Sequence, residues 1–184
     1  MTLETSTVAL GSTHPWSIDP MNTRHSIDPR NANIACDANA LDYTGGAADL
    51  LVDRFRILLS EGRLRLVVAA GVRDEVQNPR TPTSIQKAIV PQIFNLRARL
   101  TLSQQDSRFK VRVILQGNAA PGRHAADASH ISEASETGCA YFITNDKRIL
   151  RKRDELASVL PATLAIVDLN EFFEIVDAFQ SGGL

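Results

Sequence analysis

Four acidic residues, Asp37, Glu75, Asp127 and Asp146, stand where a folded chain can aim carboxylates at one point. Residues 127–146 read DASHISEASETGCAYFITND. Asp127 opens a helical pattern in which Ile131, Ala134 and Ser135 follow at helical spacing. Gly138, free to turn left-handed, stops it. Residues 139–144 then predict a short buried strand, with Asn145 and Asp146 where it ends. Asp37 closes an earlier apolar strand, 33–36, and Asn39 follows. A further strand, 64–69, leads into a helix in which Glu75 lies beside the Val72 and Val76 face while Asp74 points elsewhere. Open parallel sheets bind ligands at the carboxyl ends of their strands, so these acids are expected at one crevice. Crowded carboxylates raise each other's pKa. A divalent ion relieves that repulsion, and oxygen-only ligands select Mg²⁺ or Mn²⁺. Such an ion binds phosphate oxygens, acidifies a bound water and steadies a leaving oxygen, which is phosphodiester hydrolysis.

The elements that must position these residues alternate. After the strand 33–36, residues 47–61 put Leu51, Phe55 and Leu58 on one helical face, stopped by Gly62. The strand 64–69 follows, its crossover expected to be right-handed. Ile85, Ile89, Ile93, Leu96 and Leu100 keep helical spacing around Pro91, with Arg97 and Arg99 opposite. Residues 104–110 read as a polar loop and 111–115, VRVIL, as a strand. A basic helix after Asp146 has Ile149, Leu150 and Leu156 inward and Lys147, Arg148, Arg151, Lys152 and Arg153 exposed. A last strand, 164–167, leads to Asp168 and Glu171, a capping pair, and a helix with Leu169, Phe172, Phe173 and Val176 on one stripe. This order predicts a three-layer α/β/α domain with a central, mainly parallel sheet over residues 33–180. Residues 1–32 read as an extended tail or strap that repeats Ser-Ile-Asp-Pro at 17–20 and 26–29, and 181–184 as a frayed tail.

A strand ending in DxN (Asp37, Asn39), a Glu early in a later helix (Glu75), then a helical Asp127, Gly138 and the TxD of Thr144-Asn145-Asp146 resemble the PIN-domain ribonucleases. The resemblance covers residues 33–179. It implies a PIN-like fold and a metal-dependent endoribonuclease using Mg²⁺ or Mn²⁺. Asp37 and Asp127 are then the principal metal ligands, Asp146 completes the cup directly or through water, and Glu75 holds a second metal or positions water. Asn39, Thr144 and Asn145 orient the carboxylates. The basic run Lys147, Arg148, Arg151, Lys152 and Arg153 offers a phosphate track for RNA. A toxin-type member would pair with an antitoxin and form a homodimer. The chain departs from the pattern after Asp146, where Lys147 and Arg148 stand in place of a further acid, and in its long N-terminal segment.

Each residue also has a purely structural role open to it. Asp37 can cap a turn, Asp146 can cap the basic helix, and Asp127 suits the helix dipole. A basic run is often a solvated face. His130, one turn from Asp127, fits a structural or substrate-edge role better than that of a base. Two other functions stand beside the first: an inactive PIN-like RNA-binding or scaffold module, and an RNA-processing nuclease outside toxin–antitoxin systems. A phosphatase of the HAD type needs a second Asp where this chain has Asn39, and the acid pair and late Lys of a receiver domain are not in place. If the acids crowd one another, Asp127→Asn leaves the metal-free fold intact or more stable by about 1 kcal/mol. Reversing Arg151, Lys152 and Arg153 is expected to leave melting nearly unchanged.

The formal net charge of −1 excludes a strongly basic nucleic-acid coat but not a local track. The two cysteines, Cys36 and Cys139, fall in buried strands and read as small apolar core residues. No run is long enough to span a membrane, and the N-terminus lacks the pattern of a signal peptide, so the expected location is the cytoplasm.

Overall fold

The computed structural model describes residues 27–68 and 99–182. Glu75, the periodic segment 85–96 and the first Ser-Ile-Asp-Pro copy lie outside them. The fold is α/β. Among the described residues its sheet has four parallel strands in the order β2-β1-β3-β4, formed by β1 (Asn33–Cys36), β2 (Arg65–Leu66), β3 (Tyr141–Ile143) and β4 (Ala165–Val167). The described helices are α1 (Ala48–Ser60), α2 (Leu102–Gln116), α3 (Ala125–Glu136), α4 (Lys147–Arg151), α5 (Arg153–Ala157) and α6 (Leu169–Gln180). Among the described residues no helix is long and apolar enough to cross a membrane.

Strand side chains alternate between two cores. Ile34, Cys36, Tyr141, Ile143 and Val167 pack with α1 and α6, whereas Ala35, Phe142 and Ile166 pack with α2, α3, α4 and α5. Both faces are covered, which explains why the strands are apolar without polar alternation. The first core is centred on Phe172, edge-on to Phe55 at 5.9 Å, Tyr141 at 5.7 Å and Phe173 at 5.6 Å. Each such pair adds about 0.5–1.5 kcal/mol beyond its buried area.

Among the described residues two helix starts carry complete capping boxes. Asp168 accepts from the Glu171 N–H while Glu171 accepts from the Asp168 N–H, as expected from the sequence. Thr101 and Gln104 do the same for α2. That second box overturns the reading of 104–110 as loop and 111–115 as strand: both belong to one helix. Val111 and Leu115, four residues apart, face α3, while Phe109 and Val113 on the other side are exposed. A short alternating apolar run does not separate strand from helix, and packing against α3 decides the matter.

The second Ser-Ile-Asp-Pro copy also has a structural use. Asp28 caps a 3-10 turn at Pro29–Asn31, Pro29 fills its first position, and Ile27 packs on the first core. The Tyr141 hydroxyl donates to the Ile27 carbonyl. Residues 27–32 are therefore strapped to the sheet.

Candidate functional site

The chain reverses direction across the sheet at β1. β2 pairs on one side of it, and β3, next among the described strands, pairs on the other. The carboxyl edge between β1 and β3 is thus the switch point at which open α/β sheets leave a crevice. Cys36 is level with Ile143, and Ile143 with Val167. The next residues, Asp37, Thr144 and Asp168, form the row at the lip. By strand alternation this row follows Ala35, Phe142 and Ile166 toward the face that α3 covers. The helix α3 leads down to β3, so its first turn, which carries Asp127, lies at the same edge.

Asp37 is buried, with 7 % of its surface exposed. Burial holds its carboxyl above the ordinary carboxylate range, and the charge of Asp127 pushes the same way; the charge of His130 and the Thr144 hydrogen bond pull partly back. No side-chain cap bond occupies Asp37 at the following 3-10 turn. The fully buried Thr144 ties the two strand ends together. Its hydroxyl donates to Asp37 Oδ2 at 3.2 Å, with Asn39 Oδ1 at 3.4 Å, and accepts from the Asp146 N–H at 3.1 Å. Asn39 Oδ1 in turn accepts from the Asn145 N–H at 3.1 Å. The residues expected to orient the acids, Asn39, Thr144 and Asn145, thus form one bonded group.

Asp146 caps α4, accepting from the Arg148 N–H at 2.7 Å. Arg148 then turns back into the crevice. Its Nη2 donates to Asp146 Oδ2 at 3.0 Å and to Asp127 Oδ2. Burial raises the Asp146 pKa, but the Arg148 hydrogen bonds and charge outweigh it, so Asp146 lies below the ordinary range. Arg148 Nη1 is buried without a hydrogen-bond partner. His124 Nδ1 lies 3.6 Å from Asp127 Oδ2.

The structure therefore gathers Asp37, Asp127, Asp146, Asn39, Thr144 and Asn145 at the expected edge; Glu75 lies outside the described residues. Two features were missed in the sequence. His124, three residues before Asp127, faces it from one helical turn away, a spacing that was there to be read. The inward turn of Arg148 had no sequence signal, and it changes the electrostatics. Asp127 is not an uncompensated anion, so the expected stability gain in Asp127→Asn gives way to the loss of an ion pair.

The basic run is divided in the same way. Lys147 and Arg151 are exposed, but Arg153 pairs with Glu171 at 2.7 Å and the Lys152 ammonium donates to the Ile114 carbonyl. One continuous basic face on one helix is not what forms. Two five-residue helices meet at Lys152.

For a divalent metal, the donors fit in kind: the crevice offers carboxylate oxygens, and both cysteines are unsuitable. Burial, then the charges of Asp37 and Cys139, push the Cys36 thiol up to about 12, and burial likewise raises Cys139. In arrangement the fit is incomplete. Among the described residues no group of three or more His, Cys, Asp or Glu side chains is gathered closely enough to hold an ion, and Arg148 stands between two of the acids. No protein-family model matches the chain, and no match was found among curated proteins or solved structures.

Proposed function

We propose that this chain hydrolyses RNA phosphodiester bonds with Mg²⁺ or Mn²⁺ as cofactor, on a three-layer, PIN-like α/β/α scaffold. The observation that supports it is the convergence of Asp37, Asp127 and Asp146 on the switch point between β1 and β3. Structural duty accounts for Asp146 as a cap, but not for a buried Asp37 that stands at the N-cap of Ala38–Leu41 without a side-chain cap bond. When bound, the ion supplies charge to the phosphate oxygens and acidifies a water.

The chain's own residues do the rest. Asp37, Asp127 and Asp146 would hold the ion, with Glu75 as a fourth acid. Thr144 and Asn39 fix the two strand ends so that Asp37 and Asp146 keep their separation. Burial of Asp37 keeps bulk water from its carboxylate. Lys147 and Arg151, exposed beside the Asp146 end of the crevice, take backbone phosphates without reading bases. A toxin-type role with an antitoxin partner and a homodimer belongs to the same reading, and neutralisation of cleavage by the product of an adjacent small gene tests it.

One observation favours a second reading. The pairing of Arg148 with Asp127 and Asp146 suits a PIN-like module that binds RNA without cutting it. The deciding experiment incubates the full chain with a pool of cellular RNAs, with Mg²⁺, with Mn²⁺ and with chelator, and maps the product ends. Metal-dependent internal cleavage is expected. Binding without cleavage in either metal would replace the nuclease by the module.

A further inference from the structure

The outer side of α2 presents an apolar stripe to solvent. Leu102, Phe109 and Val113 keep helical spacing opposite the buried Val111 and Leu115, and are 85 %, 66 % and 53 % exposed. Half of the large exposed hydrophobics among the described residues stand on this one stripe, which is not the scatter of single apolar residues that a surface normally carries. Asp106, on the same side, is paired with Lys110 at 2.6 Å. The chain itself carries a matching stripe: Ile85, Ile89, Ile93 and Leu96 are at helical spacing in the sequence. Leu96 and Leu102 lie three residues to either side of position 99, Ile89 and Phe109 ten, and Ile85 and Val113 fourteen. A chain that doubles back at 99 therefore sets each of the three exposed residues of α2 against an apolar one. Residues 97–101 have the length of an αα-hairpin connection, and the Thr101 cap fixes where α2 begins. Both stripes run eleven residue steps, so two helices of equal rise match end to end.

We propose that the outer stripe of α2 is the docking surface for residues 85–96 of the same chain, which lie antiparallel on it as the first arm of an αα-hairpin. The inference stands apart from the acid-site reading above. Leu96 covers Leu102, Ile89 covers Phe109 and Ile85 covers Val113, while Ile93 meets the aliphatic stem of Gln105, six residues from position 99 on the other side. Pro91 falls between Ile89 and Ile93; it bends such an arm without ending its stripe, because the apolar spacing continues across it. The tether decides between this occupant and a second copy of the chain. A segment held five residues from the surface has an effective concentration of about millimolar, which a free partner does not reach. Docking also removes the apolar stripe from water, and with it a surface that otherwise invites association.

The test uses the full chain and a short bis-maleimide cross-linker. The native Cys36 and Cys139 are buried. Two double variants share Ile85→Cys and differ in the second site, Val113→Cys in register or Leu102→Cys out of register. An undocked chain closes the shorter loop, 85 to 102, more readily than 85 to 113, by about twofold. Docking reverses that order: the Ile85→Cys/Val113→Cys variant is expected to cross-link within one molecule about tenfold or more faster than the other, because its two sites are held together. A second measurement needs no cross-link. Phe109→Gln puts a better helix former in place of an aromatic, so at an uncovered position melting holds or rises. Under a docked arm the same change strips a buried ring and is expected to lower the melting temperature by about 5 °C or more. Faster cross-linking of the 85 and 102 sites, or an undiminished melting temperature in Phe109→Gln, overturns the docking. Cross-linked dimers as the main product assign the stripe to a second copy and overturn it as well.

Discussion

Asp37 and Asp168 lie in the same row of the sheet, one strand to either side of Thr144, each just past the end of its strand. Asp168 is fully employed by the fold. It caps α6, shares a capping box with Glu171, and Glu171 extends the bonding to Arg153 at 2.7 Å. Asp37 stands at the N-cap of the short 3-10 turn Ala38–Leu41 but makes no side-chain cap bond, is buried, and is held above its ordinary pKa, first by burial. A carboxylate that starts a twelve-residue helix needs no further explanation. A carboxylate kept dry costs stability even with the charge of His130, the Thr144 hydroxyl and the Ala38 N–H beside it, and such sites are candidates for function. Position at a strand end is therefore not what marks a candidate functional acid; the marker is whether the local backbone uses it.

The largest expected effect breaks the comparison at the crevice. Asp37→Asn or Asp127→Asn should lower RNA cleavage by more than the roughly 100-fold typical of outer-shell partners of a metal. Asp37→Asn should hold or gain stability, since the amide carries no buried charge. Asp127→Asn should lose roughly 1 kcal/mol or less, because it gives up a partly exposed pair with Arg148. Denaturant melts and cleavage assays on the two variants check both halves.

Next comes Thr144→Val. It removes the donor to Asp37 and the acceptor of the Asp146 N–H at a fully buried position, and should cost about 1–3 kcal/mol. Cleavage should fall by about 10–100-fold in the fraction that folds. Asp168→Ala should do the reverse of Asp37→Asn: about 1 kcal/mol of stability lost with the capping box, and cleavage kept. Loss of cleavage in Asp168→Ala at full occupancy of the folded state would erase the distinction between the two aspartates.

The pH dependence sharpens the same contrast. Asp37 is held above its ordinary value, so between the unfolded and folded pKa values the native state carries the extra proton, and stability falls as pH rises through that window. Asp146 is held below its ordinary value, so its contribution is present above the unfolded pKa and is lost as pH falls through the folded one. Urea melts of wild type and Asp37→Asn from about pH 4 upward should show the first slope in wild type only.

The smallest effect concerns the basic run. Lys147→Glu with Arg151→Glu should weaken RNA binding severalfold and reduce its salt slope by about one for each phosphate no longer neutralised, with melting unchanged. Arg153→Glu should cost stability, because it sets a second acid against Glu171. The triple reversal of Arg151, Lys152 and Arg153 mixes these effects and is a poor probe of the RNA path.

Local signals determined much of this protein from the sequence alone. The strand 33–36, the stops at Gly62 and Gly138, both at positive φ, and the Asp168–Glu171 box are set by residues within a few positions of one another. Backbone sterics and capping act at that range, so they are legible in the chain. The acids at the crevice were legible too, because strand ends and helix starts converge on one edge in any parallel α/β sheet. The tertiary structure alone decided three things. Residues 111–115 became helix because Val111 and Leu115 found a partner in α3. The basic run was split because Lys152 and Arg153 reach a carbonyl on α2 and a carboxylate on α6. Arg148 turned inward because folding sets Asp127, twenty-one residues earlier in the chain, beside Asp146. A long cationic side chain pairs with whichever carboxylate the packing brings within reach, and no pattern along the sequence encodes that distance.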